Sequence, residues 1–148
     1  MNFKNEAEKD LITIGITSFN SKKTIENAIN SAIKQTWQNK EIIIIDDNSD
    51  DGCWEIIKKY EEKNKIIIKR NSENKGVAFS RNFLINHAKG KYIVFFDDDD
   101  TSEKNRLYYQ YLNLKIYQKL HKINVPIFCY CKSIKKFDNS KRIVFNPP

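Results

Sequence analysis

No stretch of this sequence approaches the roughly 20 consecutive apolar residues that cross a bilayer. Its polar opening, MNFKNEAEKD, lacks the apolar run of a secretory signal. The expectation is a soluble, cytoplasmic chain, at most peripheral to the inner face of a membrane. Cysteine is scarce: Cys53, Cys129 and Cys131 make three, an odd number at no metal-site spacing. Neither a disulfide framework nor a zinc site is indicated. Cys129 and Cys131 lie two apart in an apolar stretch and would share one face of a strand. Buried, reduced thiols are expected, in keeping with a cytoplasmic compartment. Repeats, low-complexity tracts and linkers are missing as well. A chain of 148 residues suffices for one domain with a core, not for two ordinary ones. Residues 1–148 therefore read as a single domain.

What is present fits a globular protein: 40 % of residues are apolar and 12 % aromatic, too many for a disordered chain. The 26 Lys and Arg outnumber the 19 Asp and Glu, for a formal charge of +7. That sign suits an anionic ligand, a nucleic acid or an acidic membrane surface. The lysines are spread along the whole chain rather than gathered in a block, so solvated helix faces account for most of them.

Apolar runs alternate with helix-period segments, the pattern of an α/β domain with a mainly parallel sheet. Leu11–Thr17 predicts a first strand. Ser18-Phe19-Asn20-Ser21 then turns into a helix over Lys22–Gln35, where Ile25, Ala28, Ile29, Ala32 and Ile33 form one buried stripe. Glu41–Ile45 is too continuously apolar to alternate and predicts a strand buried on both faces. A polar turn from Asp46 to Gly52 leads to a helix over Trp54–Glu62. Ile66–Lys69 predicts a third strand, and Val77–His87 a helix closed by a left-handed Gly90. The fourth strand, Tyr92–Phe96, runs into four aspartates. Thr101 or Ser102 is expected to cap a helix reaching His121, with further strands over Pro126–Lys132 and Arg142–Phe145.

In open α/β sheets, ligands gather beyond the carboxyl ends of the strands. Three polar clusters fall there: Thr17-Ser18-Phe19-Asn20, Asp46-Asp47 and Asp97 to Asp100. Parallel neighbouring strands would bring all three to one rim. Four adjacent carboxylates beside Val94-Phe95-Phe96 repel one another, the more so at low dielectric, and a divalent cation relieves this. Carboxylate oxygens suit Mg2+ or Mn2+, with substrate phosphates and water completing the shell. In an extended chain Asp97 and Asp99 point one way, Asp98 and Asp100 the other. Capping the next helix is the plainer use of such acids, but it needs one or two, not four. Asp46-Asp47 taken alone equally fits an ordinary polar turn, and Arg81 either reaches an anionic ligand or is solvated. His87 and His121 stand isolated and read as packing or surface residues.

Together these segments resemble the family 2 glycosyltransferases, which have the GT-A fold. ITIGITSFNSKKTIENAINSAIKQTW is similar to the family's first strand, Thr-x-x-Asn turn and helix. EIIIIDDNSDDG is similar to its second strand and acidic turn. NKGVAFSRNFLINHAKGKYIVFFDDDD is similar to its Asn-x-Gly loop, Arg-Asn helix and Asp-x-Asp strand end. Each piece alone is weak; their order and separations, from Ile12 to Arg106, make the resemblance specific. It implies a Rossmann-like α/β domain with a mainly parallel central sheet flanked by helices. This domain would bind a nucleotide-diphosphate sugar, a UDP-sugar, through Mn2+ or Mg2+. Thr17 and Asp47 would contact the base, uracil, with Ser18, Asn20 and Asp46 in the same turns. Arg81 would lie near the diphosphate or base, Asp98 would face the ribose, and Asp99 would bind the metal with Asp97 alongside. The resemblance also implies inverting transfer to a saccharide or lipid-linked acceptor, as in surface polysaccharide synthesis, with an Asp or Glu as base.

That base belongs to a later, Glu-Asp-type motif of the family. Glu103 is the last glutamate here, and Asp138 is the only acid after it, in a KKFDNSK setting that reads as a hairpin turn. The base is therefore expected outside this chain, which reads as the donor-binding part of a longer enzyme with little transfer of its own. Two rival enzyme families use the same acids. FDDDDT resembles the Asp-x-Asp-x-Thr motif of haloacid-dehalogenase-type phosphatases, yet the second acidic pair those enzymes need does not follow Thr101. IIIIDDN resembles the acidic pair of a two-component receiver domain, but there the pair ends the first strand, whereas here a strand and a helix precede it. A third reading, a non-catalytic nucleotide- or nucleic-acid-binding module, is allowed by the charge. No basic helix with base-reading side chains and no aromatic RNA-binding strand motif supports it.

Overall fold

Isoleucine builds the centre of the sheet. β1 (Ile12–Ser18) and β2 (Lys40–Asp46) are dominated by this β-branched residue, which is stiff at χ1 and fits a pleated, buried surface. Ile14, Ile16, Ile43, Ile44 and Ile45 are each exposed by 1 % or less. Burying one such side chain contributes about 1.5–3 kcal/mol, so this row anchors the fold. The computed structural model describes residues 10–61, 66–122, 129, 133–137 and 141–145.

With β3 (Ile67–Arg70) and β4 (Tyr92–Asp97), the strands form one four-stranded sheet in the order β3-β2-β1-β4. Every pairing in it is parallel. β1 therefore has β2 on one side and β4 on the other, with Thr17 level with both Ile45 and Asp97. The chain builds outward from β1 to β3 and then returns to the far side of β1. Such a reversal opens a crevice at the carboxyl ends of the two strands it separates.

Helices cover the sheet. α1 (Ile25–Ile33) buries Ile25, Ala28, Ile29 and Ala32 as the expected stripe, while Ile33 is half-buried. It starts after a tight turn in which Thr24 and Ile25 donate to the Ser21 carbonyl, three residues later than Lys22. α2 (Cys53–Lys58) is likewise shorter than its predicted span. α3 (Val77–His87) has the predicted bounds and sends Leu84 against Ile43 and Ile45. It lies so close to β1 that a Cβ on Gly15 would sit 2.3 Å from Leu84 Cδ1.

Gly90 does not take the left-handed cap expected of it; the positive-φ glycines are Gly52 and Gly76. Glycine is needed at 90 for room instead, since a Cβ there would fall 2.5 Å from the Thr13 backbone nitrogen. The Gly90 N–H donates to Thr13 Oγ1 at 2.9 Å and to Glu41 Oε1 at 3.1 Å, which pins the entry to β4.

α4 (Arg106–His121) starts later than a cap at Thr101 or Ser102 would allow. The carbonyls of Glu103 and Lys104 are engaged by Gln35 Nε2 and the Thr36 N–H, both at 2.8 Å, which keeps this segment out of a helix. Ser102 instead accepts from Arg106 Nη1 at 2.8 Å. Two compact units divide the chain, residues 1–107 and 108–148. The second holds the rest of α4 and an antiparallel pair, β5 (Ser133–Phe137) and β6 (Lys141–Phe145), in which Phe137 faces Lys141. This pairing agrees with the hairpin read from KKFDNSK; Asp138 itself lies outside the described residues.

Cys53 is buried, but Cys129 is exposed and in no strand, contrary to the buried pair expected from its apolar neighbours. Cys131 and the remainder of the predicted strand Pro126–Lys132 lie outside the described residues. No helix among the described residues is long and apolar enough to cross a membrane.

Candidate functional site

Three strand ends and one helix meet in a cleft of about 260 Å³. β1 contributes Thr17, Ser18 and Phe19; the turn after β2 contributes Asp47; α3 contributes Val77, Ser80 and Arg81; β4 and its turn contribute Asp97, Asp98 and Asp99. Seven of the nine site residues predicted from sequence thus line one space; Asn20 and Asp46 do not.

The two acids after β2 have different work. Asp46 is fully buried and is consumed by the fold: it accepts from the Ser49 N–H at 3.2 Å and from the Ser49 hydroxyl, and pairs with Arg70 Nε at 3.1 Å. Asp47 faces the cleft. Its Oδ1 accepts from Asn71 Nδ2 at 2.6 Å and from the Lys75 N–H at 3.0 Å, and its Oδ2 accepts from the Gly76 N–H at 2.7 Å. Burial alone would raise the Asp47 pKa. The bonds from the Lys75 N–H, Asn71, the Gly76 N–H and the Ser80 hydroxyl outweigh burial and hold it below the ordinary carboxylate value.

Asn20 sits in a left-handed turn with φ 52°. It donates its N–H to Ser49 Oγ at 3.0 Å and accepts the Asp50 N–H on Oδ1 at 3.0 Å. These bonds lock the β1 turn to the β2 turn, which explains why the side chain is not in the cleft. Ser18 is buried behind Thr17, with its hydroxyl 2.7 Å from Ser21 Oγ and 3.1 Å from Cys53 Sγ.

The aspartates do not alternate as an extended chain would make them. β4 ends at Asp97, and the chain turns so that the Asp100 N–H donates to the Asp97 carbonyl at 3.3 Å. The turn brings Asp97, Asp98 and Asp99 to the same cleft. Asp98 Oδ2 accepts the Phe19 N–H at 3.1 Å, tying the end of β4 to the end of β1. Asp97 Oδ1 pairs with Arg81 Nη2 at 2.9 Å. Asp99 is exposed and accepts nothing from the described residues. Burial raises the Asp100 pKa, and the charges of Asp99 and Asp97 raise it further, against a lowering from Arg106. The repulsion foreseen among the adjacent acids is thus felt at Asp100, second to its burial.

Arg81 lies 5.2 Å over the Phe95 ring, a cation–π arrangement. Its Nε is buried without a hydrogen-bond partner. Phe19, Val77, Ser80 and Asn71 were not foreseen as site residues. Phe19 is 47 % and Val77 55 % exposed at the mouth of the cleft, where they offer apolar surface. Ser80 had one legible signal, a small polar residue on the inward side of α3 next to Arg81. His87 stacks on Phe83 at 3.8 Å and is remote from these residues in its contacts, as expected.

Among the described residues no three His, Cys, Asp or Glu side chains are grouped to hold a metal ion. The donors that do face the cleft are all oxygens. Asp97 keeps one carboxylate oxygen, and Asp99 both, clear of protein donors. Two such carboxylates fit a hard cation that takes its other ligands from phosphate and water, and fit a thiolate- or imidazole-seeking metal poorly.

The sequence matches Glycosyl transferase family 2 over residues 13–134. It is 46 % identical over 91 residues to the Escherichia coli UDP-Glc:alpha-D-GlcNAc-diphosphoundecaprenol beta-1,3-glucosyltransferase WfaP, covering 62 % of this chain and 36 % of that one. The structure is similar to that of S. aureus TarS residues 1–349, solved in complex with UDP and with UDP-GlcNAc. The TM-score is 0.63 at 26 % identity, over 75 % of this chain and 32 % of TarS 1–349. A mannosyltransferase from Pyrobaculum calidifontis, PcManGT, in complex with GDP-Man and Mn2+, shares the fold at a TM-score of 0.59 and 21 % identity, over 63 % of this chain and 29 % of that one. The chain spans between 27 % and 40 % of the length of the first three curated relatives it matches. A parallel four-stranded sheet flanked by helices is the GT-A arrangement of these neighbours, and the chain belongs to glycosyl transferase family 2.

Proposed function

We propose that this chain is the donor-binding part of a glycosyltransferase that takes a sugar from a UDP-sugar. The observation that carries the reading is the meeting of Thr17, Asp47, Arg81 and Asp97 to Asp99 in one cleft beside the strand-order reversal. Thr17 and Asp47 line the cleft and offer hydrogen-bonding groups for a base. Phe19 adds an exposed ring beside them, a surface on which a planar base can stack. Arg81, partly exposed, supplies a fixed positive charge for a diphosphate oxygen. Asp98 faces the same space, where it can accept from ribose hydroxyls.

Asp97 and Asp99 are the residues that would hold Mn2+ or Mg2+ against the diphosphate. Such a cation, when bound, offsets phosphate charge and favours departure of the nucleoside diphosphate. The complex of PcManGT with Mn2+ supports a metal in this fold, at the level of fold alone. The acid rim is then divided: Asp98 braces β1, Asp97 is shared with Arg81, and Asp99 remains open.

Transfer with inversion needs a carboxylate to take the acceptor hydroxyl's proton as that oxygen attacks the anomeric carbon. None of the cleft residues is assigned that role here. WfaP's name describes a diphosphoundecaprenol-linked acceptor, which supports a saccharide or lipid-linked acceptor for this chain; work at the cytoplasmic face of a membrane is part of the same proposal. The surplus of 26 basic over 19 acidic residues suits contact with anionic lipid there.

Calorimetric titration with UDP, with and without Mn2+, tests the reading on the native chain and on Asp99→Ala. The expected result is binding that Mn2+ strengthens and that the substitution largely abolishes. Equal UDP affinity in the two proteins would take Asp99 out of the site.

A further inference from the structure

The acceptor capacity of Asp47 is set by a buried residue that does not line the cleft. Asn71 follows β3, and its N–H donates to the Asp46 carbonyl at 2.8 Å, which fixes its backbone to the end of β2. Its amide nitrogen gives one hydrogen to Asp47 Oδ1 at 2.6 Å and the other to Ser80 Oγ at 2.9 Å. Both amide hydrogens are thus used. Asp47, Asn71 and Ser80 are exposed by only 3 %, 6 % and 0 %. The three residues tie the ends of β2 and β3 to the helix that carries Arg81.

We infer that Asn71 is a positioning residue that makes the cleft prefer uracil to guanine, by filling Asp47 Oδ1 and leaving only Oδ2 for a nucleobase. The inference rests on the UDP-sugar reading above. Oδ1 accepts both Asn71 and the Lys75 N–H, the full complement of its two lone pairs. Oδ2 accepts the Gly76 N–H at 2.7 Å, one donor against the two on Oδ1. Uracil presents a single ring N–H between two carbonyls, which one oxygen satisfies. Guanine presents a ring N–H and an amino group side by side, a pair that calls for both oxygens of a carboxylate. With Oδ1 occupied, guanine leaves a donor without a protein acceptor beside the buried Asp47 carboxylate, and that is costly. The fold itself does not decide the base, since the similar structures include one with UDP and one with GDP-Man.

The test is titration of the full chain with UDP, GDP and pyrophosphate, each with Mn2+, in native form and as Asn71→Ala and Ser80→Ala. The native chain is expected to prefer UDP, and Asn71→Ala to narrow the UDP-to-GDP ratio by about tenfold, as for one hydrogen bond to a charged group. Pyrophosphate affinity should hold, because it reports the Arg81 end of the cleft. Ser80→Ala, which frees the Asn71 amide to turn, should narrow the ratio by less. A folded Asn71→Ala that keeps the native ratio overturns the inference, as does a parallel loss of UDP and pyrophosphate, the mark of a purely structural role. If Asn71→Ala does not fold, Ser80→Ala decides, an unchanged ratio counting against the inference. A native chain that ignores UDP removes the donor reading and the inference with it; one that binds UDP while the variants keep its ratio removes the inference alone.

Discussion

Arg81 Nη2 stands 2.9 Å from Asp97 Oδ1, so the cation of the cleft is held by the first acid of its anionic rim. Both side chains are partly exposed, at 40 % and 56 %, and an ion pair so placed contributes about 0–1 kcal/mol to stability. The Arg81 Nε is buried and unpaired, which costs the folded state rather than helping it. The pair therefore contributes little to folding, and on the proposed function it serves binding.

Arg81→Ala should accordingly leave the melting temperature within about 2 °C of the native value. UDP and pyrophosphate affinity should fall by about tenfold or more, as for loss of a charge-assisted hydrogen bond. Thermal melts and calorimetry on the same samples separate the two effects. A large loss of stability with unchanged pyrophosphate binding would reverse this assignment.

Asp46 should behave in the opposite way. Its carboxylate is fully buried and spent on Ser49 and Arg70. Asp46→Asn should destabilise by about 1–3 kcal/mol, read as a lower urea midpoint, because a charged acceptor is lost from groups that need it. At temperatures where the variant is folded, its UDP affinity should stay near the native one. A stable variant that fails to bind UDP would put Asp46 in the cleft.

Asp47 adds a pH dependence whose direction is fixed by its bonds. Its folded pKa lies below the ordinary 3.8, so the charged form is favoured by folding. The resulting stability is fully present above the unfolded value and is lost as pH falls through the lower folded value. Asp47→Asn lacks this contribution. The gap between native and variant stability, from urea unfolding at a series of pH values, should be constant near neutrality and close below pH 3.8. A gap that widens on acidification would contradict the hydrogen-bond pattern described here.

The strands and α3 were legible because their causes are local. Runs of isoleucine dictate inner strands, and the Val77–His87 pattern carries its own start and stop. The sheet order was not legible from spacing, yet the polar clusters at strand ends foretold which residues would meet once the strands were parallel. What could not be read was division of labour between neighbours. Asp46 and Asp47 are adjacent and identical in type; only the tertiary positions of Arg70 on one side and Asn71 on the other assign one to the fold and one to the cleft. The same holds for the aspartate run, where a turn closed by the Asp100 N–H replaces strand alternation. Gly90 misled for a related reason, since what demands glycine there is the Thr13 backbone, distant in sequence.

The loop before α3 is secured by the chain's own carboxylate, through the Lys75 and Gly76 N–H groups on Asp47. Its ordering entropy is thus charged to folding, and on the proposed function an arriving nucleotide meets a surface already in place. Asp99 is different in kind, being exposed and held by no hydrogen bond from the described residues. On the proposed function the base meets a preformed surface and the diphosphate an ionic one, so base selectivity should be insensitive to salt while overall affinity is not.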